Sequence, residues 1–575
     1  MSNDIPNANT ALRFGSGQAV KRIEDDALLK GQGQYTDDQA PDGHLRLVFV
    51  RSPYPHARIV SVDAGNARSM PGVVAVVTGD ELAAAGVKPL AGNPAFKRAG
   101  GAPGVTGTRR PLATQRVRYV GEAVAAVVAE TMQQARDAAE AVSVEYEELP
   151  CAVDVADATA PGATPLCDDA PDNIAAEMRY GDEAKCNAAF AQAPHVVRLD
   201  VHNQRLAPLS LEPRSVLAWV ADDGRLTLRM STQMPSGVRT SLADVLNIPL
   251  EQVRVLVADV GGGFGMKTGM YPEDAAAAWC AHTLKRPVKW VADRSEEFIS
   301  AGHGRDLDQH AELALAADGK VLALRLRSFA NVGAYGTGTG MVIGMVVGPW
   351  VQTSVYDIPV IDFHLKTVMT NTAPIGAYRG AGRPEAIFLI ERLMDEAARQ
   401  TGIDRIALRR RNFVRPEQMP YTNAMGQVYD VGEFEKIMDE GLALAGWSGF
   451  ESRAAQSRAR GKVRGLGVAT FLEWTSGNSF EERVTVTVLP DGVIEAWSAV
   501  NAMGQGIATT LAQLVVDVFG VPLEQVRVVL GDTDRGSGFG SAGSRSIFVG
   551  GSALQVGAQK TLDQSRELAA QALEA

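Results

Sequence analysis

The sequence predicts a mixed α/β protein of two to four domains, and three observations predict it. At 575 residues the chain is too long for one hydrophobic core. Strand-like runs alternate with helix-like runs along most of its length. One unit, a helix followed by an apolar strand and a glycine-rich turn, is written twice. Its copies are PLEQVRVLVADVGGGFG at 249–265 and PLEQVRVVLGDTDRGSGFG at 522–540.

Taken in order, the first region (18–150) carries the apolar runs HLRLVFV at 44–50 and VVAVV at 73–77. A helix-like stretch at 133–142 follows another apolar run at 123–128. Residues 151–186 open on a stretch rich in Pro, Asp and Ala with little periodicity, which reads as a linker. The second region (187–415) offers strands at 216–220, 226–230 and 253–258, with helices at 272–283 and 385–401. Charged residues crowd 409–419 and suggest a boundary. The third region (416–575) has strands at 483–489 and 493–499 about a turn at 490–492. Helix-like stretches at 237–246 and 507–519 precede the two PLEQVRV copies, each behind a glutamine, Gln233 and Gln505.

Bulk composition excludes some functions. Sixty-seven acids against 56 bases leave a net charge of -11, which argues against nucleic acid or an anionic membrane as partner. The longest apolar candidate, GMVIGMVVGPWV at 340–351, is too short for a membrane span and reads as a buried loop near a cavity. The opening residues show no secretory pattern, which predicts a cytoplasmic protein. Cys151, Cys167, Cys186 and Cys280 form no CxxC pair, so reduced thiols are expected rather than a zinc site or iron–sulfur cluster. His303 and His310 read as packing or surface residues.

Packing alone would explain the repeated helix and strand. It would not explain two glycine turns, which cost backbone entropy on folding. Glycines after a strand point to close approach of backbone to a ligand held between two related halves. A dinucleotide fits poorly: Gly261 and Gly263 put Met266 at the last fingerprint position. Gly538, Gly540 and Gly543 have the spacing, but Asp532, Asp534 and Arg535 separate them from the strand. Further glycine-rich stretches are GAYRGAGRPE at 376–385, NAMGQG at 501–506 and GSAGSRS at 540–546. Met503 to Gly506 opens a helix, where free N–H groups suit an anion. Gln233 and Gln505 can donate and accept together, and Arg379 and Arg383 can pair with phosphate or carboxylate.

GQGQYTDD, STQMPS, GGGFGMK, AYRGAGRPE, MGQG and GSRS, in this order, resemble the large, molybdopterin-binding subunit of the xanthine dehydrogenase / aldehyde oxidase / carbon monoxide dehydrogenase family. The resemblance implies an N-terminal hammerhead-like α/β domain and two pseudo-symmetric molybdopterin-binding domains, the last one incomplete. It places Gln233 beside the molybdenum, with Gly263, Phe264 and Gly265 bringing backbone close to it. Arg379 would lie in the loop under the metal. Met503, Gly504, Gln505 and Gly506 would hold the pterin and its tail, expected as a cytosine dinucleotide, and Gly543 and Ser544 would contact the metal end. No protein side chain would bind the metal, which the pterin holds.

Departures from the family shape the expected substrate. Gly380 stands where copper-binding carbon monoxide dehydrogenases have a cysteine. Thr268 stands where xanthine dehydrogenases have a glutamate, and Ala381 where they have an aromatic. An aldehyde or N-heteroaromatic substrate is implied, with Tyr335, Trp350, Gly380, Ala381, Phe471 and Trp474 as candidates for its pocket. The family's base glutamate lies in a C-terminal stretch with no counterpart here, so the catalytic residue is unassigned. Glu212 of LEPR reads as a structural carboxylate. Partner chains with iron–sulfur clusters and FAD are implied. The alternatives are a non-catalytic cofactor-binding subunit needing a second chain for its glutamate, and a nucleotide-binding dehydrogenase using the 538–543 turn.

Overall fold

The computed structural model describes residues 14–92, 95–473, 475 and 480–574. Ala123–Ala129 is the most uniformly apolar strand of the first region: AVAAVVA, every residue buried. Its alanines leave room on both faces for helices, Met132–Glu140 and Pro272–Leu284. The second helix answers with its own run of wholly buried alanines, Ala275 to Ala278. Small residues facing small residues bring the backbones close, and the dispersion contacts are correspondingly dense.

This strand sits in a seven-stranded sheet that ignores the boundary at residue 150. The order is Val253–Leu256, Leu226–Met230, Ser215–Val220, Val288–Val291, Leu45–Arg51, Ala123–Ala129, Val73–Thr78. The first region and the second therefore share one sheet. Buried charge also joins them. Glu273 bonds Arg51 at 2.9 Å and Arg214 at 3.1 Å, and Arg214 continues to Glu297 at 3.1 Å. Burial alone would raise the Glu273 carboxyl, but Arg214 and Arg51 outweigh it and hold it at about 2. Glu273→Gln would leave Arg51 to Glu296 and Arg214 to Glu297, removing the carboxylate they share, an expected loss of ~1.5–3 kcal/mol. A depressed carboxylate stabilises above its unfolded pKa of about 4.5 and loses that contribution as pH falls toward about 2. Thermal unfolding followed between those pH values should show a weaker acid dependence in the variant. Equal midpoints at neutral pH would contradict this account.

A second sheet runs Ile174–Gly181, Ile361–Met369, Val321–Gly333, Leu307–Leu315, His195–Asn203. Helix Arg383–Thr401 packs across it. Residues 174–181 thus correct the reading of 151–186 as a spacer. The 409–419 charge cluster is likewise structural in part: Arg409 is fully buried and bonds Glu391 and Asp395, both at 2.8 Å. Residues 421–429 also fold back on the second region, with Tyr429 donating to the Ser354 carbonyl at 2.7 Å.

The expected loop at 340–351 is helical: Gly338–Val342, a wider π turn at Ile343–Val347, then Gly348–Trp350. Its glycines recur every four residues on one face. A Cβ on Gly340 would stand 2.4 Å from the Ile375 carbonyl oxygen, and one on Gly348 would stand 3.3 Å from that of Gly382. The glycines let this helix lie directly against the 375–382 loop.

The third region builds a three-stranded sheet, Val484–Val488, Ile494–Ser498, Val526–Val529. It repeats the second region's plan: an antiparallel hairpin, a helix, then the PLEQVRV strand parallel to the hairpin's second strand. The helices are Pro235–Leu246 and Ile507–Phe519. Even the register agrees, since Leu226 faces Val253 as Ile494 faces Val526.

Candidate cofactor site

The two copies meet where their PLEQVRV strands end. Leu256 and Asp532 form a bridge, and Val257 N–H donates to the Gly531 carbonyl at 2.7 Å. Arg254 then bonds Asp532 at 2.7 Å, and Arg225 bonds Asp534 at 2.8 Å, across the same seam. The glycine turns beyond these strands are brought together by this crossing.

Gln233 is the contact between them. Its Nε2 donates to the Ser541 carbonyl at 2.7 Å, and its Oε1 accepts from Gly265 N–H at 2.8 Å. Its own carbonyl accepts from Ser541 N–H at 3.0 Å. Gly263 must lack a side chain because a Cβ there would come within 2.5 Å of Gln233 Oε1. Phe264 takes a left-handed φ of 53° and is 41% exposed. Phe264 also accepts from Arg379 N–H at 2.8 Å, which stacks the 376–382 loop on the glycine turn. The Arg379 side chain is exposed. Gly380 and Ala381 both have left-handed φ, and Ala381 lines a small crevice with Arg305 and Tyr378.

The counterpart glutamine behaves differently. Gln505 Nε2 donates to the Asn501 carbonyl at 2.9 Å and its Oε1 accepts from Met503 N–H at 2.5 Å, so it fastens its own loop. Met503 packs against the second region's core. Gly504 and Gly506 are left-handed, as are Gly543 and Ser544. Cβ atoms at Gly504 and Gly543 would meet nothing within 4 Å, so both border open space.

Several supporting residues, most of them inside the quoted motifs, are given no cofactor role by the sequence. Lys267, 1% exposed, donates to the Glu212 carbonyl at 2.8 Å and to its Oε2 at 3.0 Å. That oxygen also accepts from Gly261 N–H at 2.9 Å. Burial pulls the Lys267 ammonium below its ordinary value while Glu212 opposes the shift. Asn501 bonds Ser541 Oγ through its N–H at 2.8 Å. Arg545 pairs with buried Glu482 and also donates to the Gly540 carbonyl at 3.2 Å. Arg22, from the N-terminal segment, donates to the Gly504 carbonyl at 2.8 Å.

The pocket candidates separate. Tyr335 walls a cleft of about 510 Å³ that runs beside Met266, Thr268, Gly376 and Ala377. Burial first, then Glu122, holds its hydroxyl well above the ordinary value. It therefore stays a donor, to Glu122 at 2.5 Å. Trp350 is half-buried and away from this cleft, its carbonyl accepting from Asn423 at 3.1 Å. Phe471 is 61% exposed and does not line the cleft beside Tyr335. Trp474 lies outside the described residues.

The arrangement fits a pterin-type cofactor on its own terms. Left-handed backbone at Gly262, Phe264, Gly265, Gly504, Gly506, Gly543 and Ser544 forms concave turns of the kind that receive polar ligands. Asn501 Oδ1 and Glu212 Oε1 are buried acceptors without a protein partner, which suits a ligand rich in N–H donors. No helix among the described residues is long and apolar enough to cross a membrane.

Comparison with known proteins agrees with this geometry. Residues 30–150 match the a/b hammerhead domain of aldehyde oxidase and xanthine dehydrogenase. Residues 166–413 and 440–575 each match a molybdopterin cofactor-binding domain. The nicotine 6-hydroxylase large subunit of Paenarthrobacter nicotinovorans is 35% identical over 97% of this chain and 69% of its own length. The carbon monoxide dehydrogenase large chain of Hydrogenophaga pseudoflava is 34% identical over 96% and 71%. The crystal structure of quinoline 2-oxidoreductase from Pseudomonas putida 86 superposes with a TM-score of 0.90 at 35% identity, covering 97% of this chain and 72% of that one. The chain belongs to the family of molybdopterin-dependent oxidoreductases that includes xanthine dehydrogenase, aldehyde oxidase and carbon monoxide dehydrogenase, and corresponds to their large, molybdopterin-binding subunit.

Proposed function

We propose that this chain is the large subunit of a molybdenum hydroxylase acting on an N-heteroaromatic substrate. The observation that carries the reading is Gln233, whose one amide ties both glycine turns together. Bound there, the molybdenum cofactor supplies a centre that adds water-derived oxygen to an electrophilic carbon and takes up two electrons. Gln233, the Gly263–Phe264–Gly265 backbone and Arg379 hold its metal end, with Gly543 and Ser544 opposite. Met503, Gly504, Gln505 and Gly506 hold the pterin and a cytosine dinucleotide tail. Glu212 Oε2 takes Lys267 and Gly261 N–H and so holds the loop, while its Oε1 remains an acceptor without a protein partner. The complex acts in the cytoplasm, and its partner subunits carry iron–sulfur clusters and FAD that remove the electrons.

The residue types at three positions support a substrate class. Gly380 offers no thiolate for copper, and Thr268 and Ala381 lack the carboxylate and ring that would suit a purine. The cleft beside Thr268 is lined largely by Gly, Ala, Ser and Thr, with Tyr271 and Tyr335 as flat walls, leaving room for a ring. Relatives named for nicotine and quinoline support an N-heteroaromatic over an aldehyde. The test is the native complex, assayed for molybdenum by mass spectrometry and for dye reduction with quinoline, nicotine, benzaldehyde, xanthine and carbon monoxide. Stoichiometric molybdenum with turnover of a ring compound is expected. A molybdenum-free complex from a host that loads other molybdoenzymes would refute the reading, and turnover of benzaldehyde alone would replace the substrate class.

A further inference from the structure

Two consecutive residues that carry side chains, Arg305 and Asp306, have left-handed φ angles of 67° and 75°. That conformation is costly outside glycine and persists only where surrounding bonds dictate it. Here they do. Asp306 N–H donates to the Asn203 carbonyl, and the Asp306 carbonyl accepts from Asn331 N–H, both at 3.0 Å. Its carboxylate takes Arg205 Nε at 2.7 Å and Asn331 Nδ2 at 3.1 Å. On the other side His303 N–H donates to Pro374, and Gly376 N–H donates to the His303 carbonyl. A Cβ at Gly304 would lie 2.5 Å from Tyr378 Cβ. The turn is built against the 376–382 loop.

The strained turn sends the Arg305 side chain, 9% exposed, into that loop. Its Nη2 donates to the Arg379 carbonyl at 2.7 Å and its Nη1 to the Tyr378 carbonyl at 3.2 Å. The guanidinium also lies 4.8 Å from the Tyr378 ring centroid and 3.5 Å from Glu385 Oε1. Arg379 is therefore gripped twice through its backbone, its N–H by Phe264 and its carbonyl by Arg305. Resting on the function proposed above, we propose that Arg305 is the positioning residue that sets the 376–382 loop, and with it Arg379, against the glycine turn of the cofactor site. It touches no reacting atom. A planar, forked donor is needed because one flexible ammonium cannot span two carbonyls and stack on a ring.

The test compares wild type, Arg305→Lys and Arg305→Gln as the native complex. The first readout is amide hydrogen exchange, independent of turnover. Faster exchange confined to 376–383, with strands Leu45–Arg51 and Leu226–Met230 unchanged, is expected for both variants. The second is kinetic: with molybdenum retained, kcat should fall about 100-fold in Arg305→Gln, since an ångström of misplacement costs that much. Lysine should restore part of kcat, and the signal of the half-reduced metal in electron paramagnetic resonance should shift. Unchanged exchange at 376–383, acceleration spread over the whole chain, or an unaltered kcat in the loaded variants would each overturn the proposal. Absence of molybdenum from the wild type would sink the proposed function instead, and the exchange pattern would still decide whether Arg305 holds the loop.

Discussion

Gln233→Ala is expected to yield a folded chain that retains less than about a tenth of the wild-type molybdenum. The side chain is 4% exposed and makes two bonds that no neighbour can replace. Its loss strands the Gly265 N–H and the Ser541 carbonyl in a dry seam, at ~1–3 kcal/mol each. Either group alone is worth about a tenfold change in an equilibrium. The turns can recover their bonds only by moving toward water, and therefore away from each other. Gln233→Glu separates the two bonds. It preserves the acceptor for Gly265 but places carboxylate oxygen against the Ser541 carbonyl, so the third region's turn alone should loosen. Metal analysis, thermal unfolding and hydrogen exchange of 261–267 and 538–546 would check this. Full metal content in Gln233→Ala would show that the amide bridge is dispensable.

The recurring glutamines and glycine turns were legible in the letters, because a glutamine before a helix and glycines after a strand occur twice in order. The partners of the bridge were not. Ser541 is one serine among several, and only the crossing of two strands puts its carbonyl in reach. Arg305 carries still less signal: its target carbonyls are 73 and 74 residues further along the chain. The second sheet was missed for another reason. Its strands carry charge at alternate positions, and the ion pairs that explain them run across strands, Arg198 to Glu312 to Arg325 to Asp362. In one dimension such a strand resembles polar connecting chain. The 340–351 helix misled because glycine usually breaks helices, yet here its spacing of four serves close backbone packing.

Gly531→Ala should do more damage than any other single methyl at the seam. A Cβ there would stand 2.0 Å from the Val257 carbonyl oxygen. The obstacle is backbone, in a strand bonded on the same stretch, so no rotamer change relieves it. Gly531 also has a φ of 72°, which costs alanine ~1–2 kcal/mol before any clash. Parting the strand ends would break the Val257–Gly531 bond and stretch the Arg254–Asp532 pair. Gly492→Ala isolates the clash, because Gly492 is equally left-handed at 82° and its Cβ would meet nothing within 4 Å. Both variants bear the conformational cost, and only Gly531→Ala must separate the two copies. The expected result is a small fall in thermal midpoint for Gly492→Ala and a larger one for Gly531→Ala, with molybdenum lost from the second alone. Equal effects would mean that the meeting of the repeats contributes nothing beyond local backbone strain. Metal loss with the helix Ile507–Phe519 still protected from exchange would locate the cofactor's dependence in the crossing, since each half would be intact and only their contact gone.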